Sequence, residues 1–163
     1  MTPGKAADLA SLEARFRAHP EERDGLVLAN GIFDLLHVGH VRYLSAARDE
    51  GKRLVVALNS DASANRLKGP GRPFVPLEER IEIVAALACV DWVTWFEEPD
   101  VESVLRRLRP AVHAKGTDYT VETVPERAVA LELGVRTVIV GDPKRHASSE
   151  LIQRAQGAPG RDR

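Results

Sequence analysis

Residues 26–50 read LVLANGIFDLLHVGHVRYLSAARDE, and the change of pattern inside this stretch decides the fold. Leu26-Val27-Leu28-Ala29 is a continuous apolar run, which is what a strand covered on both faces requires. It gives way at Asn30 to a loop with a glycine, Gly31, and two histidines, His37 and His40, three residues apart with Gly39 between them. A helical pattern follows over 38–50.

The same alternation repeats along the chain. Further strand candidates are RLVVALN (53–59), DWVTWF (91–96), AVHAK (111–115) and RTVIVG (136–141). Helical patterns lie between them at 77–88, 100–108 and 124–133. In the first of these, Leu77, Ile81, Val84, Ala85 and Ala88 recur at helical spacing. Strands regularly separated by helices imply right-handed βαβ units and a mostly parallel sheet flanked by helices, an α/β domain. The segment KGPGRPFVP (68–76) holds three prolines and reads as a loop. Residues 1–24 offer one amphipathic helix, with Leu9, Leu12 and Phe16 on one side, that packs loosely or mediates self-association. The glycine- and proline-rich tail GAPGRDR (157–163) is expected to fray.

The chain has 163 residues, 44% apolar and 29% charged, the mix of one globular domain. Its 23 basic and 24 acidic side chains leave a net charge of −1, so no bulk field draws nucleic acid or an anionic membrane. A single cysteine, Cys89, excludes an internal disulfide and any zinc site built from several thiolates. It reads as a buried, inert side chain. No apolar run is long enough for a membrane span, and the N-terminus lacks a signal-peptide core, so a cytoplasmic protein is expected.

In an open α/β sheet, ligands bind at the carboxyl ends of the strands. His37 and His40 stand at such an end and flank the first turn of the following helix. Gly39 lets a ligand approach the backbone there, and the helix N-terminus adds N–H donors and partial positive charge. This pattern describes an anion site with phosphate as its guest. Zinc is the rival, but helical zinc pairs are commonly spaced i, i+4 and a third ligand at fixed spacing is missing. Neither a P-loop, nor G-x-G-x-x-G, nor a nucleophile elbow appears.

Gly31-Ile32-Phe33-Asp34-Leu35-Leu36-His37-Val38-Gly39-His40 resembles the G-x-F-D-x-x-H-x-G-H fingerprint of the cytidylyltransferase-like nucleotidyltransferases. Further segments match in order: LNSD (58–61), RLKGPGRPFVPLEER (66–80), ALACVDWV (86–93), AKGTDY (114–119) and SSELIQR (148–154). The likeness spans about residues 26–154. It implies a Rossmann-like domain over 26–156, preceded by a helical extension at 1–25 and followed by the tail. Within the family, these segments look most like the branch that makes an ADP-sugar and pyrophosphate from ATP and a heptose 1-phosphate. That activity is fused to a sugar kinase in some bacteria, and this chain would be the stand-alone form. Mg²⁺ would accompany the nucleotide, and a homodimer involving ALACVDWV is expected.

The resemblance also implies roles for particular residues. His37, His40 and Lys68 would act on the charge that builds on the phosphates. Gly31, Phe33, Gly39, Arg80, Lys115, Gly116, Ser148 and Ser149 would hold the nucleotide. Arg72, Asp118 and Tyr119 would contact the second substrate. Asp34 would either touch a substrate hydroxyl or brace its loop through backbone hydrogen bonds. Two positions depart from the family pattern: Ala147 opens the last motif, and Thr117 stands where a second glycine is common. Two other readings stay open: a CTP-dependent enzyme for glycerol 3-phosphate or a phosphorylated amino alcohol, and a nucleotide-binding module without catalysis.

Overall fold

A computed structural model describes residues 4–142 of the chain. Five strands, β1 (Leu26–Gly31), β2 (Arg53–Asn59), β3 (Trp92–Phe96), β4 (Val112–Gly116) and β5 (Arg136–Val140), form one sheet of order β3-β2-β1-β4-β5. Every pairing is parallel. All five strand candidates are present to within a residue of their expected ends. The helices are α1 (Leu9–Ala18), α2 (Val38–Asp49), α3 (Asp61–Lys68), α4 (Leu77–Ala85), α5 (Glu102–Leu108) and α6 (Arg127–Leu133), with a 3-10 turn at Pro20–Arg23.

The continuous apolar runs serve two cores at once. Leu26 and Leu28 of β1, with Val55 and Ala57 of β2, face α1, α5 and α6. Val27 and Ala29, with Leu54, Val56 and Leu58, face α2 and α4. Period-two alternation therefore appears in burial partners rather than in polarity. A leucine buried in this way contributes about 1.5–3 kcal/mol. Successive crossovers run from β1 outward to β3 on one face and then return to β4 and β5 on the other. The crevice between the carboxyl ends of β1 and β4 is thus the switch point where such sheets bind ligands.

Three features differ from the sequence reading. First, helix α3 falls in a stretch that offered no amphipathic stripe, because Ala64 is its one buried apolar residue. It is fixed instead by Ser60, whose Oγ accepts the Ser63 N–H at 3.1 Å. Lys68 is consequently the last residue of a helix, not part of the loop. Second, the N-terminal segment is tied in tightly. Val93 N donates to Lys5 O and Ala7 N to Val93 O, which covers the edge of β3. Leu12 and Phe16 are buried, and Phe16 meets Trp92 edge-on at 5.0 Å. Third, Cys89 is only partly buried, packed against the α2–α4 core. No described helix is long and apolar enough to cross a membrane. Ser148, Ser149, Ala147 and the tail lie outside the described residues.

Candidate active site

A cleft of about 870 Å³ runs along the carboxyl edge of the sheet, a size suited to a small-molecule ligand. Gly31, Phe33, Asp34, His37, Gly39 and His40 line it from the β1–α2 segment. Lys68 and Arg72 line it from α3 and the loop that follows. Lys115, Gly116, Asp118 and Tyr119 line it from the end of β4. Residues that are far apart in sequence therefore converge on one site.

The β1–α2 turn is built around its small residues. A Cβ on Gly31 would lie 3.0 Å from the Phe33 ring, so a larger residue would force that ring away. Phe33 has a positive φ of 52°, an uncommon and strained conformation for a side chain of its size. Its buried ring stacks on Tyr43 and tilts against His40 at 5.3 Å. Tyr43 in turn donates its hydroxyl to Ala114 O at 2.8 Å, and burial pushes its pKa up.

The two histidines cap α2 reciprocally. His37 Nδ1 accepts the Gly39 N–H at 3.1 Å, and His40 Nδ1 accepts the His37 N–H at 3.3 Å. The arrangement copies a capping box, with imidazoles where serine and glutamate usually stand. A nitrogen that accepts an N–H carries no proton, so both neutral rings hold theirs on Nε2. Each ring therefore presents an N–H donor on the side away from the helix backbone. Among the described residues no group of three histidine, cysteine, aspartate or glutamate side chains forms a metal-ligand set.

Asp34 is a brace. Its Oδ1 accepts the N–H groups of Phe74 (2.7 Å) and Val75 (2.9 Å), and its Oδ2 binds Arg72 Nε and the Arg72 terminal nitrogen, both at 2.8 Å. With four donors the carboxylate is saturated, which fits the bracing alternative and leaves little for a substrate hydroxyl. Arg72 is held by this pair and lies 4.6 Å over the Phe74 ring.

Arg80 stands apart from the other site candidates. It does not line the cleft, and its side chain is fully buried beneath it. The guanidinium donates to Val75 O (2.9 Å), Ile32 O (2.6 Å), Asn59 O (2.9 Å) and Asp61 Oδ1 (2.7 Å). It clamps the ends of β1 and β2, the proline-rich loop and α3 together from below, and these bonds use four of its five donors. Gly116 opens a tight turn, its carbonyl accepting the Tyr119 N–H at 3.2 Å. Its own φ is not positive, and a Cβ there would meet no atom within 4 Å, so the residue also leaves room in the cleft.

Several lining residues escaped the sequence reading. Asn30, next to last in β1, accepts from His113 Nε2 at 3.0 Å and Lys115 Nζ at 3.4 Å; its place near a strand end was a signal. Glu126 pairs with Lys115 at 3.4 Å, and nothing in its spacing pointed to it. Asp142 pairs with Arg42 at 2.8 Å and accepts the Thr117 hydroxyl at its carbonyl, 2.9 Å away. Thr117, where glycine is common, thus links the β4 and β5 exits. Lys68 is an exposed cation of the cleft and, unlike Arg42, has no acidic partner among the described residues.

Comparison with known proteins agrees with this geometry. The cytidylyltransferase-like family model matches residues 28–155. Relatives named bifunctional protein HldE are 43% identical over 93% of the chain in Alkalilimnicola ehrlichii and 42% over 97% in Geobacter sulfurreducens. One from Hahella chejuensis is 54% identical over 66% of the chain. The chain covers 31%, 32% and 22% of these proteins, a third of their length at most. Among solved structures, a lipopolysaccharide core biosynthesis protein from Thermoplasma volcanium superposes with a TM-score of 0.64. It is 24% identical and covers 74% of this chain and 99% of its own. Pantothenate synthetase from Thermus thermophilus gives 0.60 at 18% identity, over 93% of this chain and 71% of its own. Those two likenesses speak to the fold. The matched family model and the sequence relatives establish that the chain belongs to the cytidylyltransferase-like family of nucleotidyltransferases.

Proposed function

We propose that the chain transfers AMP from ATP to D-glycero-β-D-manno-heptose 1-phosphate, giving ADP-heptose and pyrophosphate. The observation behind the reaction is the histidine pair, whose tautomers present two N–H donors at a helix N-terminus over the cleft. The sugar phosphate is already an anionic nucleophile, so neither a covalent intermediate nor a strong general base is needed. The chain has to hold two mutually repelling polyanions in line and supply donors where charge builds on the α-phosphoryl group and the leaving pyrophosphate. His37 and His40 serve as those donors, and Lys68, exposed at the end of α3, closes over the phosphates. Gly31, Phe33 and Gly39 shape the approach to the nucleotide. Ser148 and Ser149 belong to this proposal through the resemblance alone.

Magnesium would accompany the nucleotide and would screen the repulsion between the phosphates. The cleft fits that role, because among the described residues no three carboxylate, histidine or cysteine side chains form a metal-ligand set, and Asp34, Glu126 and Asp142 are already paired with cations. The relatives' name HldE supports the heptose substrate. A homodimer and a cytoplasmic location belong to the same reading.

The test is pyrophosphate release with Mg²⁺, crossing ATP and CTP with heptose 1-phosphate, glycerol 3-phosphate and phosphoethanolamine. Release with ATP and heptose 1-phosphate alone is expected. Release with CTP and an alcohol phosphate would keep the chemistry and replace the substrates. Folded protein that binds nucleotide yet releases nothing across the panel would overturn the enzymatic reading.

A further inference from the structure

The two walls of the cleft differ in charge. His37 and His40, at the start of α2 beside Phe33, belong to the side of the sheet covered by α2 and α4. Asn30, Lys115 and Glu126 belong to the opposite side, where Glu126 is the N-cap of α6. On that side Lys115 and Glu126 are only 6% and 3% exposed. The Lys115 ammonium has three donors. Asn30 Oδ1 and Glu126 Oε2 accept from it, both at 3.4 Å, and the Tyr119 ring lies 4.8 Å away. Asn30 Oδ1 is shared with His113, which uses both of its lone pairs. The lysine charge is therefore cancelled inside the protein. Among the described residues no donor other than Lys115 reaches the Glu126 carboxylate, which still lines the cleft.

A lysine at the carboxyl end of a strand would ordinarily be read as a phosphate ligand, but this one has little left to give. An unpaired ammonium in so buried a place would attract any anion entering the cleft, since screening by water is weak there. We propose that Glu126 is a specificity-determining residue: by neutralising Lys115 it reserves the α6 wall for the uncharged, hydroxyl-bearing body of a sugar-like acceptor, and confines phosphates to the histidine wall. Glu126 acts partly through Lys115 and partly through its own free acceptor capacity toward a hydroxyl. The assignment to an acceptor rests on the reaction proposed above, whereas the charge argument does not.

Calorimetric titration of the full chain with inorganic pyrophosphate tests the charge argument without turnover. Glu126→Gln should bind pyrophosphate at least about tenfold more tightly than the parent, equivalent to roughly 1.4 kcal/mol. A structural defect alone would weaken binding, not strengthen it. Adding Lys115→Met should abolish the gain, and Glu126→Asp, which keeps the charge, should stay near the parent. Unchanged or weaker pyrophosphate binding by folded Glu126→Gln overturns the proposal. If that variant does not fold, Lys115→Met decides alone: affinity within about twofold of the parent supports the proposal, and a loss of about tenfold would make Lys115 a phosphate ligand. In steady-state kinetics, Glu126→Gln should raise the KM for the sugar 1-phosphate about tenfold and leave that for ATP within about threefold. A shift confined to ATP would overturn the acceptor assignment. If the parent chain turns over no sugar phosphate, the proposed reaction fails, and the pyrophosphate titration still judges Glu126.

Discussion

The imidazoles of His37 and His40 lie 4.0 Å apart, centroid to centroid, and each accepts a backbone N–H of the same helical turn. One pair of side chains thus has two jobs: it caps α2 and fixes both Nε2 protons as donors. The two jobs can be separated by substitution. Asparagine is among the best N-cap residues, and glutamine at the third helical position completes a capping box.

His37→Asn and His40→Gln should therefore keep stability within about 1 kcal/mol of the parent, while neither amide puts an N–H where Nε2 stands. Turnover should fall by about 10² or more in each, as expected when a donor to developing charge is lost. Thermal melts and pyrophosphate-release rates on the same samples check this. Near-parental turnover in either variant would remove that histidine from the proposed chemistry.

Arg80 leads to the opposite kind of prediction, a loss of stability. Its guanidinium is the common donor to three carbonyls and Asp61 at the meeting of β1, β2 and the proline-rich loop. Arg80→Met leaves those acceptors unmatched and should cost about 3–5 kcal/mol, a fall in Tm of roughly 10 °C for a chain of this size. Arg80→Lys should recover only part of it, because one ammonium cannot span four divergent acceptors. If both variants melt like the parent and lose only nucleotide affinity, Arg80 is a ligand after all.

The same residues show what a sequence can and cannot disclose. Strands buried on both faces are legible because Leu26 to Ala29 must all be apolar, whichever core they join. The histidine turn is legible because glycine and histidine at a strand end have few structural reasons to be there. Helix α3 is not, since it is held by a cap and one buried alanine rather than by a stripe. Arg80 is offered as a ligand by the family resemblance, and the sequence does not show the carbonyls that surround its guanidinium. Glu126 is silent for a related reason: its partner, Lys115, is eleven residues away and meets it only once α6 packs against the sheet.

Lys68 should behave as a functional residue with no structural duty. It is exposed, ends α3 and has no acidic partner among the described residues. Lys68→Ala should leave stability within about 0.5 kcal/mol and reduce kcat/KM by about 10². Unchanged kinetics in that variant would make the side chain ordinary surface charge.

His113 sets a pH dependence of stability. It is fully buried in β4, donates from Nε2 to Asn30 Oδ1 at 3.0 Å, and its Nδ1 has no partner among the described residues. Burial, aided by the nearby Lys115 charge, pushes its pKa down from 6.5 to about 3. Between those values the unfolded chain takes up a proton that the folded chain refuses, so stability rises with pH across the window and is lost on acidification. At about 1.4 kcal/mol per pH unit, going from pH 7 to pH 5 should remove roughly 2 kcal/mol through this residue. Urea unfolding of the parent and of His113→Gln at both pH values isolates the effect, because other titrating groups cancel in the difference. The parent should lose about 2 kcal/mol more than the variant. Equal losses would mean that the histidine takes up its proton in the folded chain as readily as in the unfolded one, through the nitrogen that has no partner here.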